Sequence, residues 1–340
     1  MAASLIDVAA KAGVSLATAS RALNGKGGVS PETRKRVLAV AQELQYSASM
    51  AARGLATART ETISYVVHQA HVPLDVDPFY PIIMHGVEAE LSRQGYHLLL
   101  TTIGDEQLKD VTTFKPVAEN RVDGVILAGP DIAPRFILAL KQLEVPVLLI
   151  DNTLSTVQVD AVYSDDIKGG QLATQHLIEH GHSRIAALLG PQAWASSVHR
   201  GQGYQEAMNA AGLHPLVFHT EEGTTLETGK ALMQAALSTN PDLTAVFAAN
   251  DAMALGAIRA LAQLERRVPD DVAVIGFDDT YFSALSEPPL TTIKVFKHEM
   301  GKLAARRMLD LLADPGGPAI QTLVATELVI RRSCGCTMPG

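Results

Sequence analysis

Seven short, unbroken apolar runs constrain the fold of this chain more than any other feature. They lie at residues 63–67 (ISYVV), 97–102 (HLLLTT), 123–129 (DGVILAG), 145–151 (VPVLLID), 184–190 (RIAALLG), 244–250 (TAVFAAN) and 272–278 (VAVIGFD). A short apolar run without polar alternation is a strand buried on both faces, and helical stretches separate consecutive runs here. Parallel strands covered on both sides by helices satisfy that pattern, which is the doubly wound α/β architecture. The runs fall into two sets, broken around residues 152–163, where VQVDAVYSDD is expected to cross over. Late segments 291–295 (TTIKV) and 323–330 (LVATELVI) are expected to return across the boundary, giving two similar lobes with a cleft between them.

The chain has 340 residues, enough for two or three domains, and it is 47% hydrophobic and only 19% charged, so a large core is available and disorder is excluded. The two cysteines, Cys334 and Cys336, both sit in the tail, so no disulfide framework supports the fold, as expected in a reducing cytoplasm. The first residues lack a basic segment followed by an apolar stretch, and no apolar run is long enough for a membrane span, so a cytoplasmic protein without membrane contact is expected. Net charge is −8, but residues 1–60 carry eight basic against three acidic side chains. A basic head on an acidic body is expected when one end meets a polyanion.

That head reads as three helices. Leu5, Val8, Ala9 and Ala12 share one face over residues 5–12, and Gly13 supplies the turn. Ser15 caps a second helix over 16–23, and Ser30-Pro31-Glu32 starts a third, about 31–45. Two short helices with a Gly-containing turn and a supporting third place the second helix in a major groove. On that helix Arg21 is suited to fork onto a guanine edge, and Leu16 and Ala17 to touch thymine methyls. Thr18, Ser20 and Asn24 suit phosphates.

The run IDVAAKAGVSLATASRALNGKGGVSPETRKRVLAVAQELQY resembles the DNA-binding domain of the lactose-repressor (LacI/GalR) family. It departs at Ala19, where a β-branched Val is usual, which should cost stability and not identity. The resemblance implies a hinge helix after the head whose Leu wedges a central base step in the minor groove. Leu55 holds that position, while the usual Pro-Asn pair is replaced by Ala48-Ser49. The expected organisation is a helix-turn-helix domain at 1–47, a hinge at 48–61 and an effector domain at 62–340. Its first lobe is expected at about 62–161 and 294–322, its second at about 162–293 and 323–331.

Ligands of open α/β sheets sit beyond the carboxyl ends of the strands. Polar residues there are Asp151, Asn250-Asp251 and Asp278-Asp279, with Arg200 and Ser196 near the start of the helix after 184–190. Carboxylate, amide and guanidinium groups clamp vicinal hydroxyls, and the aromatic residues Phe79, Tyr80, Tyr163 and Trp194 offer walls for apolar sugar faces. Asp251 and Asp279 read as helix-cap or turn residues. The body also resembles the same family's effector domain, a periplasmic-binding-protein-like pair of lobes, through DPFYPIIMHGVEAELSRQGY, HLIEHGHSRIAALLGP, FAANDAMALGAIRAL, VIGFDD and PPLTTIK. The resemblance implies Arg200, Asn250 and Asp278 as main polar ligand contacts and Asp151, Tyr163, Ser196, Phe79 and Tyr80 as pocket lining. An aromatic sometimes found near 224–225 is Thr224-Thr225 here, and Trp194 is a substitute.

Other functions fit less well. The first strand leads into HQAHVPLDVDPFY, with no glycine-rich phosphate turn, and GHS at 181–183 lacks the nucleophile-elbow glycines. No His, Cys or Glu cluster shows metal spacing, and the C-x-C pair of the tail RRSCGC, which could hold half a metal site in a dimer or act as a redox pair, reads as an exposed terminus, so no metal, cofactor or enzymatic activity is expected. A sugar-binding protein without DNA function would lack the helical head. The expected protein is therefore a homodimeric repressor of carbohydrate genes that grips a near-palindromic operator and is released by a mono- or disaccharide. Apolar faces of helices at 79–92 and 251–264 are expected to form the dimer. The alternative is a corepressor-type regulator whose purine or sugar-phosphate ligand promotes DNA binding.

Overall fold

The computed structural model describes residues 3–23, 25, 27–46, 59–69, 78–154 and 157–336. Asn24, Leu55 and hinge positions 48–58 lie outside the described residues. The chain divides into two compact units, residues 1–61 with 120–123, and the remainder.

The smaller unit is built on α1 (Leu5–Ala12), α2 (Leu16–Leu23) and α3 (Pro31–Glu43). Ser4 caps α1 and exchanges hydrogen bonds with Asp7, satisfying two donors at the helix start. Gly13 ends it at φ 63°, a left-handed conformation that needs no Cβ. Ser15 Oγ accepts from the Thr18 N–H at 3.1 Å and so starts α2. Ser30 accepts from the Thr33 N–H, with Pro31 at the first helical position of α3. Val8, Ala9, Ala12, Ala19, Ala22, Val37 and Ala41 form the core, a set of small side chains that lets three short helices approach closely. Val40 and Leu44, on the inner face of α3, are only partly buried against it.

The larger unit runs β1 (Thr62–His68), α4 (Phe79–Arg93), β2 (His97–Ile103), α5 (Asp105–Lys109), α6 (Lys115–Ala118), β3 (Gly124–Ala128), α7 (Pro134–Gln142), β4 (Val147–Ile150) and β5 (Asp160–Ser164). It continues with α8 (Asp166–Glu179), β6 (Ile185–Leu189), α9 (Ala195–Ala210), β7 (Leu216–His219), α10 (Leu226–Thr239), β8 (Ala245–Ala248), α11 (Asp251–Gln263), β9 (Ala273–Asp278) and α12 (Tyr281–Leu285). The last elements are β10 (Thr291–Lys294), α13 (Lys297–Ala313), β11 (Gln321–Val324) and β12 (Glu327–Val329). The strands form two six-stranded sheets, β11-β5-β4-β3-β1-β2 and β12-β10-β9-β8-β6-β7. All pairings are parallel except β10 with β12, which is antiparallel. In each sheet the chain reverses direction beside its first strand, between β1 and β3 and between β6 and β8. Doubly wound sheets bind ligands at those two crevices.

Strand membership corrects the expected lobe boundaries. Residues 160–164 are not a crossover but β5 of the first sheet, paired with β4 and β11. The segment 323–330 is not one strand: β11 closes the first sheet, the chain crosses at Ala325-Thr326, and β12 closes the second. β10 belongs to the second sheet throughout, and α13 then packs on α4 in the first lobe. The crossing strands are tied together, with Asp165 N–H donating to Val324 O at 2.9 Å and Thr326 Oγ1 to Asp165 O at 3.3 Å.

Three helix pairs rest on reciprocal glycines: Gly86 and Gly301 for α4/α13, Gly170 and Gly203 for α8/α9, Gly229 and Gly256 for α10/α11. A Cβ at any of the six would overlap a backbone carbonyl of the partner helix, so these crossings exist only because no side chain stands there. The packing consumes most of the apolar surface of α4 and α11, including Ile83, Val87, Leu91, Met253, Ala257 and Leu261. Ile82 and Met84 on α4 and Leu255 and Ile258 on α11 stay partly exposed, and Leu264, the last residue of the expected 251–264 stretch, is exposed. The large exposed apolar side chains of this region are Tyr281, Phe282 and Leu285 on α12 and Leu264 beyond α11. No helix among the described residues is long and apolar enough to cross a membrane.

Candidate effector cleft and DNA-reading helix

Loops from the carboxyl ends of both sheets meet over one cavity that is partly open to solvent. Phe79 and Tyr80 at the start of α4, Pro130 after β3 and Asp151 after β4 come from the first lobe. Trp194, Ser196, Ser197, Arg200, Thr224, Ala249, Asn250 and Asp278 come from the second.

Arg200 is the organising charge. It sits one helical turn into α9 and is almost fully buried, with its Nε donating to Asp166 Oδ1 at 2.8 Å and Nη1 to Ala249 O at 2.6 Å. Asp278 Oδ1 lies 3.6 Å from Nη1, and the guanidinium stacks 3.9 Å from the Phe277 ring centroid. Burial alone would push this guanidinium down; the carboxylates of Asp166, Asp278 and Asp151 outweigh it and hold Arg200 above its ordinary range. Its position follows from the α8/α9 crossing, because Gly170 faces the Arg200 carbonyl and allows α9 to come within reach of Asp166.

The carboxylates stand on unusual backbone. Asp151 has φ 55°, Asp278 φ 109° and Asp279 φ 51°, all outside the usual range for a residue with a side chain. Such strain persists only where surroundings over-determine it, and it gathers at functional sites. At Asp151 the Tyr80 hydroxyl donates to Oδ2 at 2.9 Å, and Asn152 next to it donates to Gly129 O at 3.0 Å. At Asp278 the buried Lys297 Nζ donates to the backbone carbonyl, and to the Asp279 carbonyl at 3.3 Å. Asp279 pairs outward with Arg331 at 2.6 Å. Behind the site Tyr65 donates to Tyr80 O, and burial followed by the charge of Asp151 pushes its phenol well above its ordinary value.

Of the effector residues expected from sequence, Phe79, Tyr80, Asp151, Ser196, Arg200, Asn250 and Asp278 converge on this cavity. Tyr163 does not. It lies on β5 with its hydroxyl 3.5 Å from Gln321 Oε1, on the strand paired at the sheet edge. Pleating places Val162 and Ser164 inward and turns the residue between them away. The capping role expected of Asp251 falls to Asn250, whose side chain accepts from the Met253 N–H while its Nδ2 donates to Thr224 O. Asp251 is buried and accepts from Thr280 N–H, Thr280 Oγ1 and Thr292 Oγ1, tying α11 to β10. Burial pushes its carboxyl up to about 6, against the pull of those three hydrogen bonds.

Sequence reasoning missed Asp166, Lys297, Pro130 and Ser197. The Ser197 hydroxyl is buried and has no hydrogen-bond partner among the described residues, which leaves it available to a ligand. Its one readable signal was adjacency to Ser196.

On α2, Leu16 and Ala17 are exposed, Thr18 and Ser20 half-exposed and Arg21 exposed, while Ala19 and Ala22 face the core. One face of α2 is thus exposed to solvent and the opposite face is structural. Thr18 Oγ1 lies 2.9 Å from Ser15 Oγ, a pairing that fixes its rotamer at the helix start.

Two tail expectations are corrected. Residues 331–336 are not an exposed terminus: Ser333 is fully buried, with Oγ donating to Val274 O at 2.6 Å and accepting from Thr291 N–H at 2.8 Å. A cluster with metal-ligating geometry also exists, formed by His176, Cys334 and Cys336. Linear spacing hides it because the histidine and Cys336 are 160 residues apart.

A groove-reading helical unit joined to two α/β lobes around a polar cleft defines a ligand-responsive DNA-binding regulator. The family model for bacterial regulatory proteins of the lacI family matches residues 4–49, and that for the periplasmic binding protein-like domain matches 174–334. The chain is 39% identical over 334 residues to the HTH-type transcriptional regulator CelR of Thermobifida fusca, covering 96% of each. It belongs to the lacI family. Among solved structures it is similar to a transcriptional regulator CelR–cellobiose complex, with 37% identity, TM-score 0.76, and coverage of 97% of this chain and 99% of that one. It is similar also to the lac repressor dimer bound to operator and the anti-inducer ONPF, with 27% identity, TM-score 0.84, and coverage of 98% and 99%.

Proposed function

We propose that this regulator represses carbohydrate genes in the cytoplasm and acts as a switch, not as an enzyme. Two copies grip a near-palindromic operator, and a small neutral saccharide in the cleft releases them. The observation that carries the reading is the charge balance at Arg200. Asp151, Asp166 and Asp278 surround Arg200, and buried Lys297 beside Asp278 is the second cation, so three carboxylates face two cations and no surplus positive charge is left to hold a phosphorylated effector. A polyhydroxyl ligand suits it: carboxylates accept hydrogen bonds from hydroxyls, Arg200 and Asn250 orient ring oxygens, and Phe79 and Trp194 face apolar sugar faces. The cellobiose-bound relative makes a β-linked glucose disaccharide the first candidate.

Arg21 reads a guanine in each half-site, Leu16 and Ala17 meet thymine methyls, and Thr18, Ser20 and Asn24 hold phosphates. Leu55 wedges the central step from the hinge. The exposed Tyr281, Phe282, Leu285 and Leu264 supply the apolar part of the dimer interface, since a patch of that kind on a soluble protein marks an association surface. Because ligand residues come from both lobes, a saccharide favours the conformation that brings them together, and it shifts DNA affinity only through that differential binding.

Trp194 is the only tryptophan of the chain and lines the cavity, so its fluorescence reports occupancy directly. Titration with glucose, cellobiose, maltose and a sugar phosphate, read in parallel by Trp194 emission and by anisotropy of labelled operator, tests the reading. A neutral saccharide is expected to change emission and lower operator affinity together. Tightening of operator binding by a sugar phosphate or purine would reverse the sign and the ligand class.

A further inference from the structure

Far from the cleft, at the carboxyl end of α8, three soft-metal ligands converge. His176 stands in the last turn of that helix, and its Nε2 lies 3.0 Å from Cys336 Sγ. Cys334 Sγ accepts from Thr291 Oγ1 at 3.1 Å, and the three ligand atoms all lie within 4.8 Å of one another. His176 and Cys334 are buried and Cys336 is partly so.

The arrangement is built by the fold rather than by two mobile thiols at a chain end. Ser333 is locked between β9 and β10 through Val274 and Thr291, and Val274 N–H donates back to Ser333 O at 2.8 Å. Arg331 is pinned by Ser283, Leu290 and Asp279. Gly335, between the cysteines, has φ 80°, which turns the chain so that both sulfurs face α8. On the helix side the His180 ring lies tilted by 41° with its centroid 4.3 Å from that of His176, and its Nδ1 lies 2.7 Å from His176 O. Both sides of the cluster are therefore anchored before any ion arrives, which lowers the ordering cost of binding.

We propose that His176, Cys334 and Cys336 bind one Zn²⁺ per chain, a structural site outside the effector cleft that fastens the carboxyl-terminal segment to α8. Two sulfurs and an imidazole select a thiophilic ion over Mg²⁺ or Ca²⁺, which take oxygen. Zn–S bonds of about 2.3 Å and a Zn–N bond of about 2.0 Å put tetrahedral ligand atoms roughly 3.5–3.8 Å apart. The present separations reach that geometry by small rotamer changes. Two thiolates neutralise the dication, so the occupied site is electrically balanced where it is buried. Water or another small donor fills the fourth position.

The test uses the full chain, reduced with a phosphine so that no Cys334–Cys336 disulfide masks the thiols, and titrated with Co²⁺ as a spectroscopic stand-in for Zn²⁺. Wild type is expected to take up one Co²⁺ per chain with a thiolate charge-transfer band and visible bands of four-coordinate intensity, all erased by Zn²⁺. Excess Zn²⁺ should raise the unfolding temperature by about 5 °C. Cys336→Ser should halve the charge-transfer intensity and weaken Co²⁺ binding at least about tenfold. His176→Gln should weaken binding comparably while keeping both thiolate contributions. Cys336 is partly exposed, so its serine variant should retain the Trp194 response to saccharide, which verifies folding. Absence of a charge-transfer band in wild type, or a Co²⁺ spectrum unchanged in a folded Cys336→Ser protein, would overturn the site.

Discussion

Two ion pairs of nearly equal length show how differently the halves of this regulator are made. In the helical head Lys11 Nζ meets Glu43 Oε1 at 2.7 Å, with side chains 45% and 61% exposed. In the cleft Arg200 Nε meets Asp166 Oδ1 at 2.8 Å, with side chains 8% and 4% exposed. Water screens the first pair and is nearly absent from the second, so the same geometry has different consequences. The head keeps its chemistry on an outer face supported by small apolar residues, and its reading residues can change without loosening the fold. The cleft keeps its chemistry inside, where each charged group is also the partner that makes its neighbours tolerable. Function and stability are separable in one region and fused in the other.

The largest effect expected from that contrast is at Arg200. Arg200→Met should leave Asp166, Asp278 and Asp151 without their counter-charge, destabilising the body by about 3–5 kcal/mol. Saccharide binding followed by Trp194 emission should weaken roughly 100-fold or more. The two losses are expected together. A variant that lost the response with an unchanged unfolding temperature would break the claim that function and stability are fused there.

Carboxylates extend the comparison. Hydrogen bonds from the Ser4 side chain and backbone pull Asp7 in the head below its ordinary value, whereas burial pushes Asp251 in the body up to about 6 from 3.8. Between about pH 4 and 6 the folded body therefore holds a proton at Asp251 that the unfolded chain has released. The stabilisation from this group is complete below the unfolded pKa and is lost as pH rises through 6. Asp7 acts in the opposite sense, its contribution present above the unfolded value and lost as pH falls. Asp251→Asn should remove a pH-dependent stability difference of up to about 3 kcal/mol between pH 4 and 7, two pKa units at about 1.4 kcal/mol each. Denaturant unfolding of both proteins at several pH values measures it, and parallel curves would show that Asp251 ionises as freely as a surface carboxyl.

The same division decided what could be read in advance. The head was legible almost residue by residue, with Ser15, Gly13 and Ser30-Pro31 marking helix ends, because its caps and turns are local. The seven apolar runs gave the sheets, and strand ends gave most of the cavity lining. What stayed hidden depends on pairing between distant segments. β5 reads as a connector because its polar ends mask a buried middle, and β11 and β12 read as one strand because Ala325-Thr326 carries no turn signal. Tyr163 was misplaced because the face a strand residue occupies is fixed by register, which hydrophobicity alone does not reveal. Asp166 and the histidine–cysteine cluster depend on helix α8 meeting α9 and the tail, contacts with no linear signature.

Arg21→Ala should cost about 1–3 kcal/mol of operator discrimination, some five- to 150-fold in affinity, with the unfolding temperature unchanged. Binding to random duplex should fall much less. Competition anisotropy with operator and scrambled DNA separates the two, and equal losses on both would make Arg21 a phosphate contact instead of a base reader.

The smallest effect probes the opening contrast directly. Lys11→Met keeps an apolar stem of similar length and removes only the charge opposite Glu43. Both partners are exposed, so the loss should be no more than about 0.5 kcal/mol and should shrink further as salt is raised. Thermal unfolding at low and high ionic strength gives the answer. If this pair proved worth several kcal/mol, comparable to Arg200 with Asp166, then burial would not be what distinguishes the two regions. The separability of reading from folding in the head would then have to rest on something other than solvent.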